Sequence, residues 1–271
     1  MTDVFINGII VFIIAGYVAG CFSAMFGIGG GLIAVPVMFW MFRLSGLPAG
    51  VLMHLAVGTS LAIMIVTTAR VIWSHYQLGN FRRALMRPLF PWILLGTLIG
   101  SVLARFIEGE WLRLFFIAFI CYVIFKALTK KSFTGSYQES DFNMPPLAKR
   151  LPLMVLTGMI SVWLGIGGSV FTVPFLRKAK MPMVNATAAA VALSLAVSVP
   201  GMIGYIWAGW GRPDLPAYTL GYVDLVALLG FSIGSLLGVP LGAKIATRMA
   251  DQQLARAYIV MLVCVLITMI I

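Results

Sequence analysis

A chain of 271 residues that is 61% hydrophobic and 10% charged, with a mean hydropathy of +1.04, carries more apolar side chain than a soluble core can enclose, and reads as an integral membrane protein. Its formal charge of +11 does not signal nucleic acid, because the basic residues are scattered through short loops instead of forming a stripe with interleaved aromatics. Cys21, Cys121 and Cys264 lie inside apolar runs at unrelated spacings, which excludes a disulfide framework or cysteine metal site and makes them packing residues.

From the N-terminus, Met1-Thr2-Asp3 lacks a basic region ahead of the apolar run, so no cleaved signal peptide is expected. Val4 to Phe26 is apolar and then broken by Gly27-Ile28-Gly29-Gly30-Gly31, after which a short apolar piece runs from Leu32 to Phe42. Consecutive glycines favour unwound backbone, and the resumed run begins a new helix whose first N–H groups are free. Spans follow at Met53 to Trp73, Leu89 to Phe106 and Trp111 to Leu128, the last two joined by a loop with Glu108 and Glu110. Residues 129–150 are polar and form a linker. Leu151 to Leu164 is too short to cross, and it meets a near copy of the first break, Gly165-Ile166-Gly167-Gly168-Ser169, followed by Val170 to Leu176 and the basic cluster Arg177, Lys178 and Lys180. Spans at Val184 to Trp207 (with Pro200 as an expected kink), Leu220 to Ala243 and Leu254 to Ile271 complete the chain, and Gly230, Gly234 and Ser235 repeat the pattern of Gly96, Gly100 and Ser101. Two related membrane repeats are therefore expected, residues 1–128 and 151–271, joined by the 129–150 linker.

Loop charge selects the topology. If both broken segments cross the membrane, basic loops fall on both sides in comparable numbers. If each is a re-entrant hairpin, Arg82, Arg83, Arg87, Lys126, Lys130, Lys131, Lys149, Arg150, Arg177, Lys178, Lys180, Lys244, Arg248 and Arg256 share the cytoplasmic side, leaving Arg43, Arg105, Arg113 and Arg212 outside. Each half then has three crossings, an odd number, so the halves form an inverted repeat of an all-α membrane protein. The length of Val4 to Phe26, enough for a full crossing, opposes this for the first segment.

Two half-helix N-termini facing one another form a site for an anion. The candidate substrate-binding residues are Gly29, Gly30 and Gly31 in the first break, Gly167, Gly168 and Ser169 in the second, and the hydroxyl and amide groups Thr59, Ser60, Asn185 and Thr187 early in the spans that follow. His54 and Arg70 join them, His54 at the start of its span and Arg70 as a basic residue inside one, where an intramembrane charge is a functional hypothesis; interfacial snorkelling is the competing reading for Arg70. Asp224, near the outer end of its span, reads as solvated at the interface. Trp73, Trp111 and Trp207 read as interfacial anchors.

The duplicated Gly-Ile-Gly-Gly-(Gly/Ser) motif closed by Val35-Pro36 and Val173-Pro174, the stretch Ala56-Val57-Gly58-Thr59-Ser60 and the later glycine pattern resemble the sulfite exporter TauE/SafE family of bacterial membrane proteins over nearly the whole chain. The resemblance implies a bacterial inner-membrane, multi-pass transporter or exporter of sulfite, sulfonates, sulfoacetate or related organic anions. The second half departs from the Gly-Thr-Ser stretch, having Ala186-Thr187-Ala188-Ala189-Ala190, so unequal half-sites are expected.

Alternating-access transport is the reading preferred, with a passive anion channel as the alternative. An integral membrane enzyme is disfavoured, since the apolar runs hold no carboxylate cluster, His-Glu metal pair or serine with a base. No catalytic residue, metal ligand or cofactor is expected. The expected partners are a small anionic substrate and the lipid bilayer, with a homodimer left open.

Overall fold

The computed structural model describes residues 2–27, 29–77, 87–129 and 146–270. Among them are ten helices and one β-hairpin: α1 (Thr2–Phe26), α2 (Gly31–Leu44), α3 (Ala49–Gln77), α4 (Phe90–Ala104), α5 (Gly109–Thr129), α6 (Leu147–Leu164), α7 (Ser169–Lys178), α8 (Met183–Ala208), β1 (Thr219–Leu220), β2 (Val223–Asp224), α9 (Leu225–Arg248) and α10 (Asp251–Ile270). The chain is an all-α integral membrane protein. Six helices, α1, α3, α5, α8, α9 and α10, are long and apolar enough to cross a bilayer, and exposed Leu98, Val102, Phe125, Leu229 and Leu237 are suited to a lipid-facing surface.

The core is built around α3 and α8, which run antiparallel. Gly58 lies beside Tyr205, Gly201 beside Leu61, and Val71 clusters with Val191. The first helix of each half packs on the fourth helix of the other: α1 on α9 and α6 on α4. Both pairings are parallel and glycine-lined. A Cβ at Gly16 would strike Phe231 and one at Gly20 would strike Ser235, while Gly96 and Gly100 stand against Val155 and Met159. Without a hydrophobic drive between helices in lipid, such close backbone approach supplies the packing energy.

Each broken segment folds back on itself. At the end of α1, His75 Nε2 donates to Ala24 O (3.2 Å) near the C-terminal end of α3. Gly29 then adjoins Thr68, Gly31 adjoins Met64, and Gly165 touches both Val35 and Val57, so α2 descends the helix that α1 climbed. In the second half Gly165 sits at Val57, Gly167 at Ser194, and Leu176 clusters with Ala186 and Ala189, so α7 returns along α8. The two hairpins enter from opposite ends of the α3–α8 pair and their tips overlap.

Several expectations are corrected. α4 is 15 residues, about 22 Å, while α1 is long enough to cross yet is followed, after Gly29 and Gly30, by α2 running back along α3; length alone does not decide which segment crosses. α6 begins at Leu147, four residues before the expected boundary. By packing, the partners of Gly96 and Gly100 are Gly238 and Gly242, which abut Tyr17 and Cys21, and not Gly230 and Gly234. Arg177 is no loop residue: it is fully buried in the last turn of α7, and its Nη1 donates to Met181 O (3.1 Å). Cys121 and Cys264 are exposed, not packed. The helix α8 continues unbroken past Pro200. Arg82, Arg83 and linker residues 130–145 lie outside the described residues.

Candidate functional site

The two glycine breaks meet. Ser60 on α3 donates to Gly165 O (2.8 Å) and lies 3.4 Å from Gly31 O, tying the start of α2 to the end of α6. Gly31 is packed so closely on Gly165 O and Met64 that a Cβ would collide with both, and Gly167 is equally close to Ser194. Gly27, Gly29 and Gly30 have φ of 71°, 64° and 83°, the left-handed region that favours glycine, whereas Gly168 has φ −52° and relies on space alone. Ser169 turns its hydroxyl back to Gly167 O (3.3 Å).

Neither α2 nor α7 has a side-chain cap at its start, so the first-turn N–H groups and the positive dipole ends of both are turned into the same buried region. Met64 and Ser194, which flank that region, lie at the mid-length of α3 and α8. Ser23, Thr68, Ser161 and Ser198 are fully buried around it and have no hydrogen-bond partner among the described residues. A Cβ at Gly29 would lie 3.2 Å from Thr68 Oγ1, and one at Gly168 3.9 Å from Ser161 Oγ. These hydroxyls form two equivalent pairs. Ser23 and Ser161 each stand four residues before the first glycine of their break. Thr68 and Ser198 follow Thr67 and Val197, the residues that contact Gly30 and Gly168 respectively.

The other expected residues are distributed differently. Thr59 accepts a hydrogen bond from Asp224 N (2.9 Å), anchoring the β-hairpin on α3. Thr187 donates to Val184 O (2.8 Å) in its own helix while backing onto Gly27. Asn185 is half-buried in the first turn of α8. Arg70 is half-buried, about 200° around α3 from Thr68 and 60° from Thr67, and it is not among the nearest neighbours of any break glycine.

His54 belongs to a separate region at the end of the bundle that carries the β-hairpin. It is 7% exposed, stacks on Tyr222 at 5.0 Å and lines a cavity of about 550 Å³ together with Arg105, Glu108, Glu110 and Arg212. Arg212 grips Asp214 through two hydrogen bonds (3.0 and 2.9 Å) and donates to Tyr222 Oη (2.8 Å). That fork holds the Asp214 carboxyl below its ordinary range. Asp224, expected to be interfacial, instead caps α9 by accepting from Ala227 N (2.8 Å), and burial raises its pKa. The cavity floor at His54 lies one helical turn from Val57 and Gly165.

A model of the sulfite exporter TauE/SafE family matches residues 12–269. The chain belongs to the TauE/SafE family. A "probable membrane transporter protein" of Haemophilus influenzae is 30% identical over 96% of this chain and 97% of its own length. Proteins with the same description from Methanocaldococcus jannaschii (29% identical, 89% of this chain and 88% of that protein) and Bacillus subtilis (25%, 90% and 93%) are also similar. No solved structure matches. Family membership and these relatives make the protein a membrane transporter. Within this TauE/SafE chain, sequence reasoning missed Ser23, Thr68, Ser161 and Ser198. Placing the two copies of the break in register puts Ser23 opposite Ser161, but isolated hydroxyls in apolar helices carry no mark separating them from interhelical contacts.

Proposed function

We propose that the protein moves a small oxyanion of the sulfite, sulfonate and sulfoacetate class across the bacterial inner membrane by alternating access, holding it between the starts of α2 and α7. The observation that carries this reading is the pairing of two uncapped, buried helix N-termini near mid-length of the central helices with four buried hydroxyls, on α1, α3, α6 and α8, that lack hydrogen-bond partners among the described residues. A buried polar group without a partner is costly, so a set of them around two positive dipole ends is accounted for by a ligand that accepts hydrogen bonds. Two observations support an inverted repeat. The hairpins enter from opposite ends, and among the described residues Arg87, Lys126, Lys178, Lys180, Lys244, Arg248 and Arg256 gather at the end away from the β-hairpin, which is then cytoplasmic. The site offers hydrogen-bond donors suited to holding an oxyanion, which supports binding and transport.

Proteoliposomes test it. Radiolabelled sulfite should enter in a saturable way and be competed by sulfonates, and vesicles preloaded with unlabelled sulfite should show counterflow. Flux that neither saturates nor counterflows would identify a passive channel and overturn alternating access.

A further inference from the structure

We infer that the buried site selects singly charged anions over doubly charged ones; this rests on the reading of the glycine breaks as the substrate site and narrows it. The side chains adjoining the break glycines (Met64, Thr67, Thr68, Ser161, Ser194 and Val197) are all uncharged. Arg70 is not among the nearest neighbours of any break glycine, and Arg177 stands eight residues along α7 from Ser169, about 12 Å away and engaged with Met181 O. His54 is held at the cavity outside the breaks. No full positive charge therefore adjoins the breaks: the positive ends of α2 and α7, each equivalent to about half an elementary charge and partly offset by the negative C-terminal ends of α1 and α6 at the same breaks, balance at most about one negative charge.

A second negative charge has nothing to meet it. Charging energy grows with the square of the charge, so stripping water from a dianion costs roughly four times what it costs for a monoanion of similar size. The hydroxyls of Ser23, Thr68, Ser161 and Ser198 and the first-turn N–H groups supply hydrogen bonds, which suit a sulfonate or hydrogensulfite head, but supply no further full charge. The asymmetry of the site agrees with a ligand whose two ends differ. Ser60 faces the breaks from α3 where Ala190 holds the equivalent place on α8, and Ser194 lies on α8 where α3 has Met64, so each central helix presents one of these hydroxyls but at a different position.

Calorimetric binding to the full chain in detergent, with methanesulfonate as the monoanion and sulfoacetate and sulfate as dianions, is the test. Thr68→Val and Ser161→Ala, which remove hydroxyls at nearly constant shape, report whether binding is at the breaks. Methanesulfonate binding at least tenfold more tightly than sulfoacetate and sulfate, and losing tenfold or more in Thr68→Val, is the expected result. Equal or tighter binding of the dianions, lost in the same variants, would overturn the charge selection and leave the site standing. Binding of either class that survives both variants unchanged, or binding of none of the probes, would remove the site itself and the inference with it.

Discussion

Three glycine substitutions separate backbone strain from packing at the first break. Gly30 precedes α2 with φ +83°, and a Cβ there would lie 3.3 Å from Thr67 Cγ2. An L side chain in this region costs about 1–2 kcal/mol from backbone sterics alone. Gly168, its counterpart, has φ −52° and meets Thr157 Cγ2 at the same 3.3 Å, so alanine there pays a small contact adjustment and no conformational penalty. Gly46 has φ +76° with nothing within 4 Å of the added atom, and so isolates strain without contact. The expected order of destabilisation is Gly30→Ala greater than Gly46→Ala, with Gly168→Ala least. At about 2–4 °C per kcal/mol for a domain of this size, Gly46→Ala should lower the thermal midpoint by roughly 2–8 °C and Gly30→Ala by more. Thermal unfolding of monodisperse protein at one detergent concentration reads the order, and methanesulfonate binding is measured on the same samples. Gly168→Ala as damaging as Gly30→Ala would refute the argument that these two equivalent positions are built differently, Gly30 on left-handed backbone and Gly168 on space. Leucine at either position fills the approach to the N–H groups and should abolish binding.

Single cysteines at Arg87→Cys and Lys178→Cys, in a background lacking the native three, should react with an impermeant reagent from one side and Arg212→Cys from the other; labelling of Lys178→Cys together with Arg212→Cys would remove the second hairpin. Arg70→Lys should retain transport and Arg70→Ala should reduce it modestly, because Arg70 is not among the nearest neighbours of any break glycine; equal loss in both variants would point to a bidentate grip that a point charge cannot replace. Asp214→Asn should lower stability by about 0.5 kcal/mol or less, as for exposed ion pairs. Because the folded Asp214 pKa is depressed below 3.8, this stabilisation is present above that value and is lost as pH falls through the folded pKa. The difference between wild type and variant in thermal midpoint should therefore vanish in acid, and a gap that widens there would contradict the Arg212 fork as its origin.

The amino-acid sequence by itself determined that this is an all-α membrane protein, where its chain is broken by glycines and how its loop charges are distributed. These properties are local and additive: hydropathy accumulates along a run, consecutive glycines weaken a helix wherever they occur, and lysine and arginine register their side individually. Whether a broken segment crosses or turns back is a different kind of property. α1 is long enough to span, yet the chain turns back after it, because Gly29, Gly30 and Gly31 seat the start of α2 against Thr68, Thr67 and Met64 of α3 and against Gly165, more than a hundred positions away. Separation in sequence likewise hid the register of Gly238 and Gly242 on α1 and the seating of Asp224 on Thr59, while the burial of Arg177 was hidden because its basic cluster with Lys178 and Lys180 reads as a loop. Ser60 was legible as a candidate near the break, but not as the donor that ties Gly165 to α2. Thr68, Ser161 and Ser198 were invisible because a serine or threonine in an apolar helix becomes significant when its surroundings leave it without a partner, and those surroundings exist once α3, α8 and both hairpin tips have closed around it.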